Sequence, residues 1–445
     1  MNSDRILRQG GSSSTKFKEN TMAEIKDGPI LGAPCKAAVD ALMTNGAIRT
    51  LLGQIKTEQE KRIAEQVELV EVPAPPFKEE ARGEVFAAML RNAGIDDVHK
   101  DEIGNVIGRY KGLGAGPVLV VAAHLDTVFP EGTPIKVRKE GDTYYAPGMS
   151  DDAAGLASLL QAARAIATQK IATVGDIVFV GTLGEEGNGD LRGCKALWNA
   201  PNDYDGMIAI DSAAPTRILR GSVGCKRYRI IFEGPGGHSL RKFGIVGSAI
   251  HGICQLVSKI DRIDVPTDPQ CTFNVGVIKG GTSVNAIASE AQIELDIRSM
   301  NQESLEKFVA KILPLVEETV MEENAYWHLS DEGKISAHIE QIGDRPAGMN
   351  PDDSPVIQAS FGAMKALGIE LQKYIVGATD QNIPLSRGIP ATTLGAGGTE
   401  DYNHSVKEHW CAKDAFLGPQ LLALATLALV GVSGVSAPVL VKRGH

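Results

Sequence analysis

The run VLVVAAHLD, from Val118 to Asp126, is continuously apolar and valine-rich before it turns polar. That is the pattern of a central parallel strand covered on both faces. Two further runs end the same way: Ile177 to Val180 leads to Glu185 and Glu186, and Met207 to Ile210 ends at Asp211. Open α/β sheets bind ligands beyond the carboxyl ends of their strands, so His124 with Asp126, the Glu185-Glu186 pair and Asp211 are expected around one crevice.

The apolar spacing of Ala47, Leu51, Leu52, Ile55, Ile63 and Val67 predicts two amphipathic helices between Cys35 and Val72, stopped by VPAPPF. Another helix is expected from Glu79 to Ala93, closed by Gly94, with NVIGRYKG opening the first strands. Asp151 and Asp152 stand just ahead of a run of helix formers, where an acidic cap belongs. Capping accounts for one of the two and leaves the other for chemistry.

The texture changes at GSVGCKRYRIIFEGPGGHS, where Arg227 to Phe232 alternate polar and apolar like a half-exposed antiparallel strand. A helix over 243–260, strands in CTFNVGVIKGG and AQIELDIRS, and a helix over 303–318 follow. Around Pro346 the α/β pattern returns: a helix over 354–367, strands in YIVGATD and IPATTLGAGG, and His404 just past the second. The expected fold class is α/β, a mixed and mostly parallel sheet flanked by helices, with an inserted α+β domain. The expected divisions are a tail over 1–34, a main domain over 35–221 and 344–445, and the inserted domain over 222–343.

Length supports two domains, because 445 residues exceed the roughly 250 to 300 at which single cores stop growing. A net charge of -10 argues against nucleic acid as a partner. The six cysteines are scattered with no CxxC pair, which fits reduced thiols and a cytoplasmic protein. The opening stretch has serines and charges but no apolar core of a secretion signal, and its Gly-Gly-Ser-Ser-Ser segment reads as a disordered tail. Near the other end, AFLGPQLLALATLALVGVSGV is interrupted at Gly418, Pro419 and Gln420, leaving less than the ~20 residues a membrane span needs. A buried helix covering one face of the sheet is expected there, and no membrane association.

Several adjacent carboxylates need a counter-charge, and a divalent cation is the usual one. Two zinc ions would suit the set: His124 with Asp211 on one, Glu186 with His404 on the other, and Asp151 bridging. Glu185 is then free to act as general base toward a shared water. Asp126 returns to the side of His124 and can fix its tautomer. Taken singly, His124 reads as a core histidine, His404 as a surface one and Glu185-Glu186 as a solvated loop. Their repetition at strand ends reverses that. The glycine-rich pieces GPGGHS and GAGG lack phosphate-loop spacing.

These residues resemble the two-zinc metallopeptidases and amidohydrolases that include aminoacylase, carboxypeptidase G, peptidase T and succinyl-diaminopimelate desuccinylase. AHLDTV, GMSDDAAG, TLGEEGNGD and NHSVKEHW are similar to the family's motifs and occur in family order between Val118 and Trp410. The resemblance implies a zinc-exopeptidase-like fold with a lid and dimerisation domain. It implies His124, Asp151, Glu186, Asp211 and His404 as metal ligands, Glu185 as base and Asp126 as partner of His124. It also implies two Zn2+ per subunit, with Co2+ or Mn2+ as substitutes. In the lid, GPGGHS, GGTSVNAIAS and DIRS resemble substrate-contacting elements and point to His238, Asn285 and Arg298, with His238 reaching the site of a homodimer partner. Ala153 stands where the family often has Lys, and Asp at position 211 looks like the aminopeptidase and tripeptidase branch. The implied function is an exopeptidase acting on small peptides. An N-acyl amino acid amidohydrolase and a non-catalytic peptide-binding member are the alternatives.

Overall fold

The structure, a computed structural model, describes residues 28–114 and 116–444. Of the expected tail, 1–27 lie outside the described residues. Residues 28–34 run into the first helix, where the Gly32 N–H donates to the Gln358 side chain and Gln358 donates to the Ile30 carbonyl.

Three helices open the chain where two were expected: α1 (Ala33–Thr44), α2 (Gly46–Thr57) and α3 (Gln59–Val70). The apolar stripe carries through the breaks, which only local chemistry marks. Asn45 turns its side chain back to accept from the N–H groups of Ala47 and Ile48, capping α2. After α4 (Glu80–Asn92), Gly94 takes the left-handed conformation at φ 88° that closes a helix. There follow β1 (Asp97–Lys100), β2 (Val106–Tyr110), β3 (Val118–His124), the short β4 (Arg138–Glu140) and β5 (Thr143–Tyr145), and α5 (Ala153–Thr168). Then come β6 (Asp176–Thr182), α6 (Arg192–Asn199), β7 (Gly206–Ile210) and β8 (Arg217–Ser222).

The inserted α+β unit comprises β9 (Gly224–Glu233), β10 (Gly237–His238), α7 (Ala249–Asp261), β11 (Cys271–Gly280), β12 (Ala286–Ile287), β13 (Glu290–Ser299), α8 (Gln302–Ile312), α9 (Pro314–Tyr326) and β14 (Ser336–Arg345). Its antiparallel sheet runs β11-β13-β9-β14. Tyr228, Ile230 and Phe232 alternate inward on β9 and form a core with Leu256, Leu305 and Phe308 of the helices. Two helix boundaries differ from expectation. The helix expected over 243–260 begins at Ala249, where the Ser248 hydroxyl accepts from the His251 N–H. The helix expected over 303–318 is two, divided at Pro314, which has no N–H to continue the ladder.

The chain returns through β15 (Gly348–Met349), α10 (Pro355–Ala366), β16 (Lys373–Gly377), α11 (Asn382–Ser386), β17 (Ala391–Leu394), β18 (Thr399–Asp401), β19 (His409–Cys411) and α12 (Leu417–Val430). Among the described residues the main sheet has nine strands, ordered β1-β2-β6-β3-β7-β17-β8-β15, with β16 beside β8. Around its centre β6, β3, β7 and β17 run parallel.

The central strand explains its own sequence. Leu119, Val121 and Ala123 face the larger core, while Val118, Val120 and Ala122 face a second core beneath α6 and α11. Both faces are dry, so alternation disappears. On the larger side, α12 packs against α10, α5 and α1 and buries Leu421, Leu422, Leu424, Leu427 and Leu429. Each such leucine contributes about 1.5–3 kcal/mol. Among the described residues no helix is long and apolar enough to cross a membrane.

Candidate metal centre

The parallel strands β6, β3 and β7 all end at one edge of the sheet, and each delivers acid or imidazole there. His124 closes β3. Its Nε2 lies 2.9 Å from Asp151 Oδ1, and its Nδ1 lies 3.0 Å from the Asp126 carbonyl and 3.6 Å from Asp126 Oδ1. The Asp126 carboxylate is fully buried and accepts the backbone N–H groups of Glu185 and Glu186, each at 2.9 Å. It therefore fixes the loop after β6 as well as facing the imidazole.

Asp151 and Asp152 divide their tasks as the capping argument requires. Asp152 caps α5 by accepting from the Gly155 N–H, and it also accepts the His124 N–H at 3.1 Å. Asp151 turns into the crevice, its Oδ2 3.1 Å from His404 Nε2. The loop carrying it is held by Glu408, whose carboxylate accepts the N–H groups of Gly148, Ser150 and Asp151 and the Ser150 hydroxyl.

Glu186 Oε1 lies 2.9 Å from His404 Nε2. Asp211, just past β7, accepts the Ser212 hydroxyl at 2.8 Å, and Arg217 holds its carbonyl. Two of these positions sit on unusual backbone: Ser212 has φ 61° and His404 has φ 61°. Non-glycine residues rarely adopt that conformation, and functional sites are where it accumulates.

Three groups of side chains offer ligand atoms all within 4.8 Å of one another: His124, Asp151 and Asp211; Asp151, Glu186 and His404; and His124, Glu185 and Glu186. The first two share Asp151. Each of its oxygens faces a different imidazole, the disposition of a bridging carboxylate.

The charge balance points the same way. Burial pushes the Glu185 carboxyl well above the usual range despite the Arg345 guanidinium beside it, and it raises Glu186 too. Hydrogen bonds to Asp151 and Glu186 push the His404 imidazole up to about 11. Burial works against a charged His124, yet its contacts with Asp126 and Asp151 raise its pKa well above the ordinary value. Neighbouring carboxylates raise both imidazoles, so the cluster gathers negative charge that a cation would balance. An all N/O donor set of this kind fits zinc or a similar divalent cation.

The residues expected in the insert are placed differently from one another. Arg298 lines the same crevice as Asp151, Glu185, Asp211 and His404. His238 and Asn285 do not line it. They come together on the β10–β12 ribbon, where His238 pairs with Ala286 and the Ser239 N–H donates to the Asn285 carbonyl. Sequence reasoning missed Arg345, which is buried against Glu185, and Glu408. Arg345 ends a strand whose pattern reads as exposed and carries no local signal. Glu408 lay within NHSVKEHW, where an acid between two histidines was the available cue.

A mostly parallel sheet with this cluster at its carboxyl edge is the architecture of a hydrolase with a candidate metal centre. The chain belongs to peptidase family M20/M25/M40, whose family model matches residues 120–428. It is 28% identical over 366 residues to the uncharacterized protein YqjE of Bacillus subtilis (strain 168), covering 76% of this chain and 91% of that protein. It is 25% identical over 341 residues to a succinyl-diaminopimelate desuccinylase of Corynebacterium glutamicum, covering 74% and 86%. A solved tripeptidase from Staphylococcus aureus superimposes with a TM-score of 0.68 at 25% identity, over 82% of this chain and 97% of that one.

Proposed function

We propose that the protein is a zinc-dependent exopeptidase cleaving small peptides with a free carboxylate. The observation that carries this is Asp151 shared between two ligand sets, each with its own imidazole, with Glu185 beside them and in neither of the two. His124, Asp211 and Asp151 would hold one Zn2+, and Asp151, Glu186 and His404 a second. The pair would supply Lewis acidity toward the scissile carbonyl and a lowered pKa for the attacking water. Co2+ or Mn2+ could replace zinc in the same N/O donor set.

The chain's own groups then have definite work. Glu185 accepts a proton from the attacking water and delivers it to the leaving amine. Its burial favours the protonated form needed for the second half of that task, and Arg345 keeps the carboxylate form accessible for the first. Asp126 keeps the Glu185-Glu186 loop and the His124 ring in register. Arg298, on the rim of the crevice, pairs with the substrate carboxylate.

His238 and Asn285 are solvent-exposed, and Leu240 and Val284 beside them are exposed as well. We read this ribbon as the contact through which two copies pair, each placing His238 at its partner's site. All six cysteines are unpaired, with Cys254 exposed, which supports the cytoplasm as compartment. An N-acyl amino acid amidohydrolase is a second reading, favoured by likeness to the desuccinylase along most of that protein's length.

Metal analysis with a panel of tripeptides and N-acyl and N-succinyl amino acids tests the proposal, on wild type and Glu185→Gln. The variant is expected to retain its metal and lose turnover. Equal activity would remove Glu185 from the mechanism.

A further inference from the structure

A second cavity of about 390 Å³ lies next to the metal-ligand cluster, with Glu186 and Gly187 lining both. Apart from Asn188 its remaining walls are apolar: Pro75, Pro76 and Phe77 from the segment between α3 and α4, and Val128, Phe129 and Pro130 from the loop after β3. In the sequence VPAPPF serves as a helix stop, and nothing in the hydrolytic machinery accounts for its prolines and phenylalanine.

The two walls are built to stay open. The Thr127 N–H donates to the Ala74 carbonyl, joining one loop to the other. Behind them, fully buried Arg82 donates to the carbonyls of both Val72 and Leu125. Phe77 is the telling residue. It lies in the left-handed region at φ 72°, unusual for a bulky side chain, and is 65% exposed, so it packs no core. The Arg192 guanidinium sits 4.9 Å from its ring centroid and is anchored by Glu79. A strained, solvent-facing aromatic on the rim of a rigid apolar cavity is a recognition surface.

The centre is therefore polarised. The crevice is lined by the guanidinium groups of Arg227 and Arg298, and by Arg345, which is engaged with Glu185. Asp296 holds Arg227 and Arg298 by their Nε atoms, at 2.9 and 2.7 Å, which aims them as a pair. Past Glu186, proline and phenylalanine take over. A substrate with a carboxylate at one end and an apolar group at the other matches this only in one orientation.

We propose that this cavity is a subsite for a large apolar, best aromatic, side chain or acyl group on the acyl side of the scissile amide. The assignment rests on the hydrolase reading above, with the amine-side carboxylate directed to the arginines. Full burial of such a side chain favours it over glycine by about 10- to 100-fold.

Calorimetry on the full-length, zinc-loaded Glu185→Gln protein provides a readout independent of turnover. Phenylalanyl-glycine is expected to bind about 10- to 100-fold more tightly than glycyl-glycine. Adding Phe77→Gly, which suits the backbone conformation there, is expected to remove most of that preference, while Phe77→Tyr retains it. Equal affinities for the two dipeptides, or a preference untouched by Phe77→Gly, would overturn the subsite. Wild-type kcat/KM for the same dipeptides and for N-phenylacetyl-glycine and N-acetyl-glycine separates this from the underlying reading. Selective binding with hydrolysis of none keeps the subsite and removes the hydrolase. Hydrolysis with no dependence on the acyl group does the opposite.

Discussion

Arg345 holds Glu185 at two points. Its Nη1 lies 3.3 Å from the Glu185 Oε1, and its Nη2 donates to the Glu185 carbonyl at 2.5 Å. Both side chains are buried, at 7% exposure each, so water contributes little to either charge. The guanidinium comes from the last residue of β14, in the insert, and the carboxylate from the loop after β6. The pair thus ties the insert to the floor of the crevice.

Replacing Arg345 by methionine leaves Glu185 buried without its cation, so its carboxyl must either bind a proton or stay charged and unpaired. We expect a stability loss of about 3–5 kcal/mol in denaturant unfolding. The double variant Arg345→Met, Glu185→Gln is expected to recover much of it, because no buried charge is then stranded. Additive losses in the two single variants would show that the contact carries no coupling.

Asp126 gives a different signature. Asparagine in its place keeps one acceptor but turns an amide NH2 toward a backbone N–H of the Glu185-Glu186 loop, and the His124 imidazole loses a charged neighbour. Zinc affinity measured by chelator competition should fall about 10- to 100-fold. An unchanged affinity would mean that the buried Asp126 serves only to shape the loop.

How far the sequence reveals these features depends on whether the signal is local. His124, Glu186 and Asp211 were legible because each follows an apolar run that could only be a buried strand. Asp151 was legible because one cap needs one acid and two were present. Arg345 was not: in SAHIEQIGDR the flanking residues are polar, and its burial arises only when the end of β14 meets a loop far back in the chain. The break between α1 and α2 was hidden for a related reason. Both helices lay apolar residues on one core, and periodicity does not register an asparagine that interrupts hydrogen bonds without interrupting the stripe.

Metal uptake should release protons at neutral pH. In the metal-free chain the two carboxylates facing His404 push its pKa up to about 11, so the ring is charged at pH 7, whereas a metal ligand must be the neutral imidazole. Calorimetric titration of zinc into apo protein in buffers of different ionisation enthalpy should report net proton release, and affinity should fall as pH falls. Zinc at 100 times its Kd should stabilise the fold by about 2.7 kcal/mol, visible as a higher Tm that a chelator reverses.

Asp380 offers a pH signature from a group that is not itself a proposed ligand but lies within reach of the charges on His124, Asp126 and Arg345. It is buried, receives the Thr182 hydroxyl on Oδ2 at 2.5 Å and among the described residues has no hydrogen-bond partner for Oδ1. Burial raises its pKa from 3.8 to about 6. The folded state then holds a proton that the unfolded chain has already lost between those values, so this group makes stability fall as pH rises from about 4 to about 6, and adds no slope above that. The fall is about 3 kcal/mol in all. Asp380→Asn should flatten that part of the profile, whatever its absolute stability. A wild-type slope that survives in the variant would assign the titration elsewhere.

The complete burial of α12 bears on how the protein is made. This helix roofs strands that leave the ribosome hundreds of residues earlier, and His404 is translated almost as late. Until then that face of the nascent sheet is only partly covered, by α5 and α10, and the binding site is half built. The insert, with its own core, can be finished in the meantime, so synthesis passes through a stage with one settled unit and one awaiting its last piece. During that interval apolar surface that α12 later buries stays open to water.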